Sequence, residues 1–111
     1  MHYQITAIIR DKRGRVLAIG RNNYLKTHPL QAKLARSVGK PCSVYLHAEI
    51  HAITKLRSGV PHSIHVYRYL ANGTPANSKP CEICQEAIKD FGVKIIEYTT
   101  ENGWVKEIVN G

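Results

Sequence analysis

Acidic side chains are scarce in this chain: eight Asp and Glu stand against sixteen Lys and Arg, a formal net charge of +8. An excess of that size on a small protein points to a polyanionic partner or a phosphorylated substrate, with a merely solubilising surface as the duller reading. Long apolar runs are missing too. No stretch approaches the length of a membrane span, so no membrane partner is expected. The opening Met1-His2-Tyr3-Gln4 lacks a basic region followed by an apolar run, and no secretory leader is expected. Cysteine is too sparse for a disulfide framework: there are three, two of them in one Cys-x-x-Cys. That usage fits a cytoplasmic location, where thiols stay reduced, and a metal site. Cys42 is left over and reads as a small buried or half-buried thiol. No repeat, low-complexity tract or linker interrupts the 111 residues, so one domain spanning 1–111 is expected.

The patterning predicts an α/β protein. Tyr3 to Ile9 alternates as a strand, and Asp11-Lys12-Arg13-Gly14 turns into a second strand, Arg15 to Ile19. Gly20-Arg21-Asn22-Asn23 reads as a loop. Thr27 can cap a short helix from Pro29 to Ser37, which Gly39 stops. A second helix, Leu46 to Ser58, carries the apolar stripe Leu46, Ile50, Ile53, Leu56. Ser63 to Leu70 reads as a strand, and a turn-rich loop runs from Ala71 to Lys79. Pro80 then opens a helix, Cys81 to Phe91, and Val93 to Thr99 is a strongly apolar strand. Asn102-Gly103 signals a closing hairpin with a last strand, Trp104 to Val109. Helices alternating with strands argue for a mixed sheet covered by helices.

Two short stretches carry the chemistry: His47-Ala48-Glu49 and Pro80-Cys81-Glu82-Ile83-Cys84. His47, Cys81 and Cys84 supply three ligands of the kinds zinc prefers. Three ligands leave a tetrahedral ion one open position, the mark of a catalytic site. Cys81 and Cys84 share one helical face at i and i+3, and the positive end of that helix favours the thiolates. Glu49 is spare, and a spare carboxylate beside a metal-activated water can shuttle its proton. About 200° of helix separates Glu49 from His47, so both reach one site only near the helix's end. Each motif has a duller reading alone. Cys-x-x-Cys serves redox pairs and structural zinc knuckles, and His-x-Glu recurs by accident on amphipathic helices. His51, one turn after His47, could close a Cys2His2 site. The chain would then be a zinc-stabilised, basic nucleic-acid-binding module without catalysis.

Taken together, H-x-E and P-C-x-x-C resemble the signature of the zinc-dependent cytidine and deoxycytidylate deaminase superfamily. The resemblance covers nearly the whole chain. It implies a three-layer α-β-α cytidine deaminase-like fold with a mixed five-stranded sheet and a C-terminal β-hairpin. It also implies Zn²⁺ on His47, Cys81 and Cys84, with Glu49 as proton shuttle, His51 as a non-ligand, and hydrolysis of cytosine to uracil by zinc-bound hydroxide. Gly20-Arg21-Asn22 looks like the family's Gly-x-Asn pattern, whose Asn touches sugar or base, with Asn23 as the neighbouring register. The stretch His47 to Ile53 resembles deoxycytidylate deaminases and the pyrimidine deaminase of riboflavin synthesis. The ending resembles the cytidine deaminase and secreted-toxin branch instead, because Thr100-Glu101-Asn102-Gly103 leaves no room for a helix between the last two strands.

A free nucleotide needs a few cations at the pocket rim. Arg21, Lys26, His28, Lys40 and Lys79 fall in loops that the implied fold places near the metal. The candidate substrate contacts are therefore Asn22, Asn23, Ala48, Arg21, Lys26, His28 and Lys79. A single strand of DNA or RNA would need a longer basic track with stacking aromatics. Tyr24, Tyr45, Tyr67, Tyr69 and Trp104 could serve, although Tyr67 and Tyr69 are equally good strand residues. The expected substrate is a free deoxycytidine nucleotide or nucleoside, with single-stranded nucleic acid as the alternative. A homo-oligomer is expected, because small members of the family assemble to complete the pocket.

Overall fold

The computed structural model describes residues 4–27 and 45–109, with residues 23–27, 45, 46 and 83 described by backbone alone. Strands β1 (Thr6–Arg10) and β2 (Val16–Arg21) form the opening hairpin. Asp11 organises its turn: the carboxylate accepts the Arg13 and Arg15 N–H groups, each at 2.9 Å. Gly14 closes it at φ 86°, a region costly for any side chain. Then come β3 (Asn23–Thr27), β4 (Tyr45–Leu46), helix α1 (Ala48–Thr54) and β5 (Ser63–Tyr67). Helix α2 (Glu82–Asp90) and the strands β6 (Ile95–Thr100) and β7 (Gly103–Ile108) complete the described chain.

The five-stranded sheet has the order β2-β1-β5-β6-β7. Only the β5–β6 pair is parallel, so the sheet is mixed. β7 returns antiparallel on β6 through the Asn102-Gly103 turn, as the sequence predicts. This is the α/β architecture of the cytidine deaminase-like fold. Alternation puts Ala7, Ile9, Ala18, Ile64, Val66, Ile96 and Tyr98 on one sheet face. There they join Ile50, Ala52 and Ile53 of α1 and Ala87 and Ile88 of α2 in one buried cluster. Both helices therefore cover the same face. Each fully buried Ile or Val in this cluster contributes on the order of 1.5–3 kcal/mol of transfer free energy. The helix expected over Pro29 to Ser37 lies outside the described residues.

Several boundaries differ from the sequence reading. The expected loop at Gly20 to Asn23 is mostly strand: β2 continues to Arg21, and β3 begins at Asn23. β3 pairs with β4 as a separate two-stranded sheet. Leu46 belongs to β4, so α1 starts two residues later than expected. It also ends early, at Thr54. β5 stops at Tyr67, and an isolated Tyr69–Pro75 bridge continues the ladder across the following loop.

Gly20 explains how closely α1 lies on the sheet. A Cβ built there would stand 2.2 Å from the Ala52 nitrogen and 2.4 Å from the Ala48 carbonyl oxygen. The absent side chain, together with Ala48 and Ala52, lets helix and strand backbones touch. That contact fixes the height of α1, and with it the position of His47.

Candidate active site

His47 is the N-cap of α1, in extended conformation at φ −83°, ψ 155°. It stands outside the helix. The 200° separation that a continuous helix would impose on His47 and Glu49 therefore does not apply, and both side chains line one pocket. Cys81 is likewise the extended N-cap of α2, at φ −72°, ψ 173°, and Cys84 lies in its first turn. The two helix starts meet at one end of the sheet. His47 Nδ1 is 3.3 Å from Cys84 Sγ and 3.5 Å from Cys81 Sγ. All three donor atoms lie within 4.8 Å of one another.

These spacings fit zinc. Tetrahedral bonds of about 2.3 Å to sulfur and about 2.0–2.1 Å to nitrogen place neighbouring N and S ligands about 3.5 Å apart. Nitrogen and sulfur already stand at that separation. Cys84 is fully buried, whereas Cys81 is exposed and His47 half-buried, so the cluster opens on the Cys81 side. His51 does not join it. Its Nδ1 lies 3.1 Å from the Arg21 backbone nitrogen and 3.0 Å from the Arg21 carbonyl oxygen, anchoring α1 to the end of β2.

The three groups share protons. A hydrogen bond from the Cys84 thiol, aided by His47, pulls the Cys81 thiol down to about 4. Cys84 itself is pushed well above its ordinary range by that bond to Cys81 and by burial. Burial works against a charged His47, but the Cys81 thiolate outweighs it and raises the imidazole. Glu49 is 5% exposed. Burial raises its carboxyl above the ordinary range, against the opposing pull of its own backbone N–H and of His47. A raised carboxyl beside a metal-binding cluster suits a group that must take up and release a proton.

The pocket at the cluster has a volume of about 180 Å³ and is lined by Ile5, Asn22, His47, Ala48, Glu49, Asn77, Ser78, Lys79 and Cys81. Of the predicted substrate contacts, Asn22, Ala48 and Lys79 are there. Asn22 Oδ1 accepts the Ile5 N–H at 3.0 Å, which fixes the side chain across the strand ends. Arg21 ends β2 and is not among the residues lining the pocket. Asn23 and Lys26 lie in β3, and their side chains are not among those described. His28, Lys40 and Cys42 lie outside the described residues.

Sequence reasoning missed Ile5, Asn77 and Ser78. Ser78 is buried: its hydroxyl contacts the Val66 carbonyl oxygen at 2.8 Å, and its oxygen accepts the Thr99 N–H at 2.9 Å. Thr99 in turn donates to the Ala76 carbonyl at 2.7 Å. These bonds tie the loop before Cys81 to the C-terminal ends of β5 and β6. Asn77 Oδ1 accepts the Lys79 N–H at 3.2 Å, an Asx turn whose local signal was present in the sequence.

Two helix starts bring two thiols and an imidazole together beside a buried carboxyl, a donor set that suits zinc with an acid–base group next to it. Residues 1–100 match the family model of the cytidine and deoxycytidylate deaminase zinc-binding region, and the chain belongs to that family. It is an enzyme of the cytidine deaminase kind, with Zn²⁺ as its cofactor. A search of curated proteins finds no match to the chain. No helix among the described residues is long and apolar enough to cross a membrane.

Proposed function

We propose that the protein hydrolyses the exocyclic amine of cytosine, giving uracil and ammonia, on a free deoxycytidine nucleotide or nucleoside. The observation that carries this reading is the buried Glu49 in one pocket with His47 and Cys81, beside the cluster that these two donors form with the buried Cys84. These three residues would hold the zinc. Zinc bound there supplies a Lewis acid that makes water a nucleophile near neutral pH. Glu49 takes up the two protons of the attacking water in turn, handing the first to the ring nitrogen and the second to the exocyclic amine as the C4–N bond breaks and ammonia leaves. Asn22 and the Ala48 backbone orient the base and its sugar. The non-catalytic zinc module loses support because His51, its fourth ligand, is engaged with the Arg21 backbone.

Pocket size and Lys79, the one Lys or Arg among the described lining residues, support a substrate that enters one base at a time. A volume of about 180 Å³ suits one base and is below the usual range of about 300–1,000 Å³ for drug-sized ligands. The net charge of +8 supports the nucleic-acid alternative. A one-domain cytoplasmic enzyme that assembles as a homo-oligomer fits the small open pocket, and light scattering tests the assembly. The deciding experiment offers the zinc-loaded protein cytidine, deoxycytidine, their monophosphates and a cytosine-containing single strand, with Glu49→Ala as control. Deamination of a free nucleotide or nucleoside, lost in the variant, is expected. Deamination of the strand alone, falling steeply with salt, would overturn the substrate assignment, and no uracil from any of them would overturn the chemistry.

A further inference from the structure

Lys79 is the one Lys or Arg among the described residues lining the pocket, and a second residue competes for it. Its ammonium lies 3.6 Å from Glu107 Oε2 on β7, and Glu107 does not line the pocket. The same carboxylate oxygen accepts the Tyr98 hydroxyl, which holds it in place from a buried side chain. The Lys79 ammonium also stands 6.0 Å from the Tyr98 ring centre, within cation–π range. Two attractions therefore draw the pocket's cation toward the sheet edge.

We propose that Glu107 is a specificity-determining residue, which holds Lys79 in reserve and so sets how strongly the pocket prefers a phosphorylated substrate over the bare nucleoside. The inference rests on the cytosine-nucleotide reading above. A phosphate reaching Lys79 must displace a carboxylate from the same ammonium and then lie near that carboxylate's charge. An uncharged nucleoside meets neither cost. Replacing the carboxylate by an amide of the same shape keeps an acceptor for the Tyr98 hydroxyl but frees the cation.

The pair is about half exposed, at 49% and 44% for the two side chains, so solvent screening makes the expected effect modest. Exposed ion pairs of this kind correspond to about a two- to fivefold change in an equilibrium constant. At low ionic strength, Glu107→Gln in the zinc-loaded protein should lower KM for deoxycytidine monophosphate by about that factor, with kcat unmoved. Deoxycytidine should show no matching change. The gain should disappear in the Lys79→Gln background, because the effect runs through that ammonium. A shift shared by both substrates, or a gain that survives without Lys79, would overturn the role of Glu107 while leaving the deaminase reading intact. A wild-type protein that deaminates neither compound would instead overturn the functional reading, and this inference with it.

Discussion

Replacing Gly20 by Ala tests whether the approach of α1 to β2 builds the site. Gly20 is not among the glycines at positive φ, so alanine is conformationally acceptable there. With space available, the change would stabilise the fold by about 0.4–1 kcal/mol through the unfolded state. There is no space: the added carbon meets backbone at 2.2, 2.4 and 2.8 Å, and no flexible side chain can yield. Helix α1 must retreat by about 1 Å to restore ordinary contact, at an overpacking cost of about 1–3 kcal/mol. The retreat carries His47 and Glu49 with it, while Cys81 and Cys84 stay on α2. Metal–ligand distances tolerate only about 0.2 Å, and a misplacement near 1 Å can cost on the order of 100-fold in rate. Urea unfolding should therefore show destabilisation, chelator competition a weakened zinc affinity, and deaminase assays a loss larger than the stability change explains. A Gly20→Ala protein as stable as wild type, with unchanged zinc affinity, would refute the argument.

Glu49→Gln should retain zinc, because Glu49 supplies none of the clustered donors, yet lose about 100- to 10,000-fold in kcat. Metal analysis beside a turnover assay checks both halves, and metal lost in proportion to activity would contradict the assignment. Ser78→Ala removes the acceptor of the buried Thr99 N–H and should cost about 1–3 kcal/mol in urea unfolding. Zinc uptake at neutral pH should release at least the Cys84 proton, since that thiol's pKa is raised well above its ordinary value and zinc binds the thiolate. Zinc affinity must then rise with pH below that raised pKa, and calorimetry in buffers of different ionisation enthalpy that shows no proton release would count against the site.

Local signals made much of this legible in the sequence. The Asp11 to Gly14 turn, the Asn102-Gly103 hairpin and the two ligand motifs are each written in adjacent residues. What was not legible depends on distant partners. Asn23 to Thr27 has no strand pattern of its own and becomes β3 only because Tyr45 and Leu46 pair with it. Ser78 looks like an ordinary loop serine until Val66 and Thr99 surround it. Arg21 reads as a loop cation near the metal, and its place at the end of β2 follows from that strand running further than its apolar pattern.

The donors of the zinc cluster come from segments 34 and 37 residues apart. A chain must close that loop before His47 can meet either cysteine, and loop closure is an entropic cost that precedes the reward. The complete three-donor site therefore exists only once the sheet has brought the two helix starts together. In the folded protein the cluster's route to solvent is its exposed Cys81 side, since Cys84 is buried behind it.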